Sequence, residues 1–314
     1  MSDQVRIATV TLNPAIDQTI FIPNFQAGKV NRVSRAQSNA GGKGVNVASF
    51  LADFGFDISV TGFLGAENPH LFERLFSQKQ IEDCFVRIAG LTRTGIKIIN
   101  DVTQETTDIN FPGETPNAEN VRTLFQAIEM LAADCQWFVL AGSIPAGVDP
   151  NIYADLIEAI TRKGRAVALD TSGESLRRAI GRTPSLIKPN IHELEELTGT
   201  PLTTQAEVLQ AAQRLLDGGI ECVIISMGAD GAIFMTAQER ILATPPSVPV
   251  LSTVGAGDAM VSGMVAGRIR QLPLAECARL ATAFSLSAIS RVEAGLPDMA
   301  TLNTFKEQVV ITTL

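Results

Sequence analysis

The residues best suited to chemistry lie in "STVGAGDAMVSG", Ser252 to Gly263. Glycines crowd a turn and the start of an apolar helix, and one acid, Asp258, stands among them. The first amides of a helix lack an internal partner, and that end of the helix carries partial positive charge. Gly255 and Gly257 let an anion come close to those amides and to that of Ala256. Such a pocket stabilises charge developing on a phosphoryl group. An acid in the same turn suits a base that takes a proton from a hydroxyl attacking that phosphate. The competing reading is that Asp258 only caps the helix and the glycines only permit tight packing.

A second glycine cluster, "SNAGGKGVN", invites comparison with a phosphate-binding P-loop and fails it. Gln37 stands where the first glycine belongs, and Gly44 replaces the Ser/Thr after Lys43. "GAGDAM" also fails as a dinucleotide fingerprint, because Met260 occupies its third glycine position and no strand opens it. With only two histidines, His70 and His192, a His-rich zinc site and a Ser-His-Asp triad are both disfavoured. The four cysteines, Cys84, Cys135, Cys222 and Cys277, form no CxxC pair and read as reduced structural thiols.

The elements that must position Asp258 form a recognisable rhythm. "VRIATVTL" is a strand, "TIFIPNF" a second extended piece, "KGVNVASFLADFG" a helix stopped by Gly55, and "DISVTGFLG" another strand. Val45, Ala48, Leu51 and Ala52 mark one apolar face of that helix. "TGIKIIN" and "TTDINF" flank "DVTQE" as a hairpin. From Asn117 onward, helices "AENVRTLFQAIEMLA", "PNIYADLIEAITRKG" and "TQAEVLQAAQRLLDGG" precede strands "WFVLAG", "RAVALD" and "ECVIIS". Nearly continuous apolar strands between amphipathic helices predict an α/β fold whose parallel sheet is covered on both faces. Ligands on such sheets bind beyond the carboxyl ends of the strands, where "AGSIPAG", "DTSGE" and "SMGADG" fall. The extended pieces at 16–36 and 91–111 break the alternation and predict a small separate sheet, a lid over the site.

The chain has 314 residues, 46% hydrophobic, with a net charge of −8. That excludes a general nucleic-acid surface, which needs a basic stripe. The N-terminus has no signal-peptide pattern, and no apolar run approaches the ~20 residues of a membrane span. The expectation is a cytoplasmic protein without nucleic-acid or membrane partners.

"STVGAGDAM", "AGGKGVNVA", "TLNPAID", "AGSIPAGV" and "IKPNIHELEELTG" together resemble the phosphofructokinase B branch of the ribokinase-like sugar kinases, in the family's order and over nearly the whole chain. The resemblance implies a single three-layer α/β domain over 1–314, a mostly parallel central sheet with helices on both faces, and a small β-sheet lid that makes a homodimer. It implies ATP as donor with Mg2+, and it admits a monovalent cation, K+, bound by carbonyls near Ser252 and Val254. "GKVNR", "GFLG", "TRTGIKI" and "TTDINFPG" narrow the implied acceptor to fructose 1-phosphate, converted to fructose 1,6-bisphosphate. Tagatose 6-phosphate and fructose 6-phosphate are the alternatives within the family, and a non-catalytic sugar-phosphate sensor is the alternative outside that activity.

The resemblance also assigns roles. Asp258 is the implied base, and Gly255, Ala256 and Gly257 form the anion hole. Asp17, Gly41, Gly42 and Asn46 match sugar contacts, although Asp17 also reads as a surface acid and Asn46 as a helix cap. Lys29, Lys43, Arg93 and Ser143 match contacts to the substrate's own phosphate, each lysine or arginine also reading as solvated surface charge; Arg32 is a further candidate that would reach a partner subunit. Lys188, Asn190, Ser226, Gly228, Gly231 and Thr253 fall on the nucleotide side, and the segment after Leu280 is expected to supply the adenine pocket. Asn190 and Glu193, three apart, match a pair that organises Mg2+, with Glu193 as the metal-side carboxylate. An N-cap at Asn190 followed by exposed acids, Glu195 and Glu196 included, explains the same residues, as does a plain hairpin turn for "SMGADG".

Overall fold

The computed structural model describes residues 5–100, 102–103, 105–251, 253–291 and 295–314. Its strands are β1 (Arg6–Thr11), β2 (Ala15–Phe21), β3 (Arg35–Gly41), β4 (Asp57–Gly65), β5 (Glu82–Asp83), β6 (Val86–Ile88), β7 (Thr94–Ile99), β8 (Thr106–Asn110), β9 (Cys135–Ala141), β10 (Ala166–Asp170), β11 (Leu186–Ile187), β12 (Cys222–Ser226), β13 (Ala232–Met235), β14 (Arg240–Thr244) and β15 (Val310–Thr313). The helices are α1 (Lys43–Asp53), α2 (His70–Lys79), α3 (Ala118–Asp134), α4 (Ile152–Thr161), α5 (Gly173–Ala179), α6 (Ile191–Thr198), α7 (Gln205–Asp217), α8 (Ala256–Ile269), α9 (Leu274–Ile289) and α10 (Met299–Gln308).

The main sheet runs β15-β14-β13-β12-β11-β10-β9-β1-β4-β5, with β6 also pairing β4. From β12 to β5 every pair is parallel, as the alternation predicts. The β13, β14 and β15 edge is antiparallel, which the rhythm did not disclose. Successive strand residues feed two cores. On β9, Val139 and Ala141 enter one cluster while Phe138 and Leu140 enter the other. The first cluster holds the apolar residues of α1, α8 and α9, and the second those of α3, α4 and α7, giving three layers.

Local sequence explains the main boundaries. Asn117 and Thr204 N-cap α3 and α7 through reciprocal capping boxes. Gly55, at φ 93°, follows the last turn of α1, where a left-handed residue ends a helix cheaply. α1 is buried from Gly44 to Leu51, so the four-residue face predicted for it is too narrow. Sheet and helix cover it on opposite sides: α1 contacts β1, β4 and β9 as well as α8.

The second, four-stranded sheet has the order β3-β2-β7-β8. Its strands correspond to the irregular segments at 16–36 and 91–111, with corrected limits. The first strand begins at Ala15 and ends at Phe21, residues 22–34 form a loop, and the next strand continues to Gly41. The β7–β8 hairpin is present and antiparallel; Asp101 and Gln104 of its predicted turn lie outside the described residues, as do Met1–Gln4. No helix among the described residues is long and apolar enough to cross a membrane.

Candidate active site

Asp258 sits in the first turn of α8 and is buried, 5% exposed. Gly255 forms the N-cap at φ 78° and has no side chain to offer the first amides of the helix. Gly255 takes a left-handed conformation that glycine adopts without penalty, and a helix start is the kind of place where anions bind. Asn46, from α1, donates from Nδ2 to Asp258 Oδ2 at 2.8 Å. It is not the cap of α1; Gly42 is, at φ 112°. Burial pushes the Asp258 carboxyl up to about 6, with repulsion from Asp170 adding to the effect, while Lys43, the Asn46 hydrogen bond and Lys188 oppose it. The result is a carboxyl poised close to neutrality, the range in which a general base works best.

Asp170 is the residue that sequence reasoning passed over. It closes β10 inside the quoted "DTSGE" yet received no role. Its side chain is fully buried, and one oxygen, Oδ1, meets both Lys43 Nζ at 3.3 Å and Lys188 Nζ at 3.4 Å. Burial works against its charge, but the two ammonium groups prevail and hold the carboxyl below its ordinary range. For Lys43 burial likewise opposes the charge, and Asp170, Asp258 and Glu193 outweigh it, raising the ammonium. A charged residue ending an apolar strand must find partners, and that was the available signal. Lys188 also lies under the start of α8: a Cβ at Gly257 would stand 3.1 Å from its Nζ.

The neighbouring strand end carries Ser143. Gly142, at φ 101°, accepts hydrogen bonds through its carbonyl from the buried Tyr153 hydroxyl at 3.0 Å and from Thr171 at 2.9 Å. Its amide donates to the Asp170 carbonyl at 3.0 Å. These bonds fix the turn that presents Ser143, whose hydroxyl accepts from Asn13 Nδ2 at 3.2 Å.

Asp17 lies on β2, opposite Gly95 on one side and Asn39 on the other. A Cβ at Gly41 would collide with the Asp17 carboxylate, so glycine there is a steric requirement of that acid's placement. Burial raises the Asp17 carboxyl, opposed by the charges of Arg93 and Lys97. Arg93, just before β7, bonds the Asn13 carbonyl through Nε and Nη2 at 3.4 and 3.3 Å. Burial lowers its guanidinium and Asp17 opposes that effect. Lys29 and Arg32 differ from these: both are exposed on the 22–34 loop.

On the other side of the cluster, the helix-cap reading of Asn190 is realised. Asn190 Oδ1 accepts from the Glu193 amide at 2.9 Å, and Glu193 Oε2 accepts from the Asn190 amide at 2.8 Å. Glu193 keeps its second oxygen outside this box. Ser226 closes β12 and donates its amide to the Pro189 carbonyl at 3.2 Å. Met227 to Gly231 then turn the chain into antiparallel β13, so the hairpin reading of "SMGADG" holds too. Gly228 and Gly231 have φ 63° and 91°, and a Cβ at Gly231 would strike the Ala243 carbonyl. Thr253 is exposed beside the α8 start, and Ser252 lies outside the described residues. The segment after Leu280 lies within α9, largely buried against the core.

The chain is similar to known proteins over nearly its whole length. Residues 10–301 match the pfkB family carbohydrate kinase profile. A curated 1-phosphofructokinase of Rhodobacter capsulatus is 46% identical over 312 residues, covering 99% of this chain and 98% of its own. Phosphofructokinase-2 from Escherichia coli, solved in complex with substrates and products, superposes with a TM-score of 0.90 at 27% identity, covering 96% of this chain and 99% of that one. The same E. coli enzyme in complex with potassium gives 0.89 at 28% identity, covering 96% and 98%.

Proposed function

Because this chain belongs to the pfkB family of carbohydrate kinases, we propose that it transfers the γ-phosphoryl group of ATP to fructose 1-phosphate, giving fructose 1,6-bisphosphate and ADP. The observation that carries this reading is a buried carboxyl, Asp258, in the first turn of a helix whose N-cap is a glycine. The free primary hydroxyl of the sugar loses its proton to Asp258 as its oxygen attacks the γ-phosphorus in line with the departing ADP. Charge on the transferring group is met by the amides of Gly255, Ala256 and Gly257 and by Lys188 beneath them. A carboxyl near 6 is ionised at neutral pH and still basic enough to assist.

Asp17, Gly41, Gly42 and Asn46 hold the sugar in this account. Lys43, Arg93, Ser143 and, from the exposed loop, Lys29 bind the acceptor's own phosphate. Asn190, Ser226, Gly228, Gly231 and Thr253 line the nucleotide side. The chemistry of this side suits a phosphate-bound magnesium ion: among the described residues Glu193 commits only Oε2 to the capping box, which leaves its second carboxylate oxygen available to a hydrated cation. Mg2+ would supply neutralisation of the β- and γ-phosphate charge, with Glu193 holding it through water. A K+ site beside Val254 is consistent with the potassium complex of the E. coli relative. The four-stranded sheet acts as the lid and as the homodimer contact, and a cytoplasmic location suits an ATP-dependent enzyme.

The test is ADP release measured side by side with fructose 1-phosphate, fructose 6-phosphate and tagatose 6-phosphate. The expected result is the highest kcat/KM with fructose 1-phosphate. Preference for either 6-phosphate overturns the acceptor assignment, and tight binding without turnover of any of the three favours a sensor.

A further inference from the structure

We propose that Asp170 is the positioning residue of this site, its one bonded carboxylate oxygen tying the acceptor-side Lys43 to the donor-side Lys188 and keeping both ammonium groups off Asp258. The inference rests on the reading of Asp258 as base. Its geometry is specific. Lys43 opens α1, next to the sugar-side glycines, and keeps 39% of its side chain exposed. Lys188 follows β11 and is buried at 5% exposure. The two come from different elements, the start of α1 and the segment after β11, and converge on Asp170 Oδ1 at 3.3 and 3.4 Å. Among the described residues neither ammonium forms an ion pair with Asp258, whose bonded oxygen is met by the neutral amide of Asn46 instead.

Charge counting explains why this arrangement needs a second carboxylate. Two ammonium groups beside one buried acid would pair with that acid, because a desolvated charge takes the nearest counter-charge. Pairing would make Asp258 a poorer base. With Asp170 present, the two lysines are balanced by a carboxylate that has no proton to accept, and Asp258 remains available. The groups facing Asp258 are Lys43 and Asn46 from α1, Asp170 from β10 and Lys188 after β11, and their signs agree: Asp170 raises its carboxyl while Lys43, Asn46 and Lys188 lower it. Because both lysines share one anchor, losing it disturbs both substrates' phosphates together, whereas a residue serving one substrate alone would alter a single KM.

The experiment is the pH profile of kcat/KM for the sugar phosphate at saturating Mg-ATP, with the full chain, in wild type, Asp170→Asn, Lys43→Met and Asp258→Asn. The free sugar phosphate titrates identically in all four assays, so differences between profiles belong to the enzyme. Asp170→Asn is expected to move the acid limb down by about one pH unit and to raise KM for ATP and for the sugar phosphate together. Lys43→Met is expected to move the same limb upward. A purely structural role predicts loss of activity without opposite displacements. A folded Asp170→Asn protein with an unmoved acid limb overturns the proposal. If that variant does not fold, an unmoved limb in Lys43→Met overturns it. Asp258→Asn separates the two levels: substantial turnover there removes the base itself, whereas an inactive Asp258→Asn protein with an unshifted Asp170→Asn profile removes only the positioning role.

Discussion

Asp258 is expensive to keep in place. Burial raises its carboxyl from 3.8 to about 6, so the folded state holds the proton more tightly than the unfolded chain does. The stability tied to that proton is complete below the unfolded value and is lost as the pH rises through the folded one. Asp258→Asn, which keeps the shape and removes the charge, should therefore be more stable than wild type at pH 8, by about 1–3 kcal/mol, with the difference vanishing toward pH 4. Urea unfolding at the two pH values measures this, and equal stability at pH 8 contradicts the desolvated-carboxyl account. Asp258 was legible in sequence because its own neighbours carry the pattern: glycines, a helix start and one acid fall within a few positions. Asp170 was not, because its meaning depends on Lys43 and Lys188, which only the folded sheet brings to it. Asn190 and Glu193 show the opposite limit: their spacing announces a capping box as readily as a metal-side pair, and the box is present in the fold.

At the scale of elements, α8 must lie close to α9 for its first turn to reach the strand ends. Gly263 makes that approach possible. A Cβ there would stand 2.6 Å from Ala281 Cα and 2.9 Å from the Leu280 carbonyl oxygen, and backbone atoms cannot rotate away. Gly263→Ala should cost about 1–3 kcal/mol of stability, read as a lower urea midpoint with unchanged m-value; an unchanged midpoint would mean that the two helices part without penalty. The parallel half of the sheet was readable because amphipathic helices precede the apolar strands β9, β10 and β12. Of the antiparallel edge only the β12–β13 turn was legible, as the plain hairpin at "SMGADG"; β14 and β15 escaped because runs of four or five residues carry no direction of their own. The short connection from Ser226 to Ala232 was the usable signal, since only antiparallel neighbours can be joined so tightly. β3, "RAQSNAG", has no apolar alternation and becomes a strand through its pairing with β2.

Over the whole molecule, the small sheet is the part least buried by its own chain. Every residue of β8 is exposed. Ile109 on that strand and Phe111 just past its end are both exposed, and Val30 on the 22–34 loop is 84% exposed. An apolar edge of this kind calls for a partner, and a second copy meeting lid to lid is the occupant in the account proposed above. The double variant Ile109→Asp, Phe111→Asp should sediment as a monomer while keeping the wild-type far-UV spectrum. An unchanged oligomeric mass would move the interface elsewhere.

Where the hydroxyl proton goes is read by single-turnover phosphoryl transfer in Asp258→Asn, with substrate affinities measured in parallel. The expected result is a fall of about 100- to 10,000-fold in the transfer rate with both substrates still bound. A folded variant that transfers the phosphoryl group within a few-fold of the wild-type rate would contradict it.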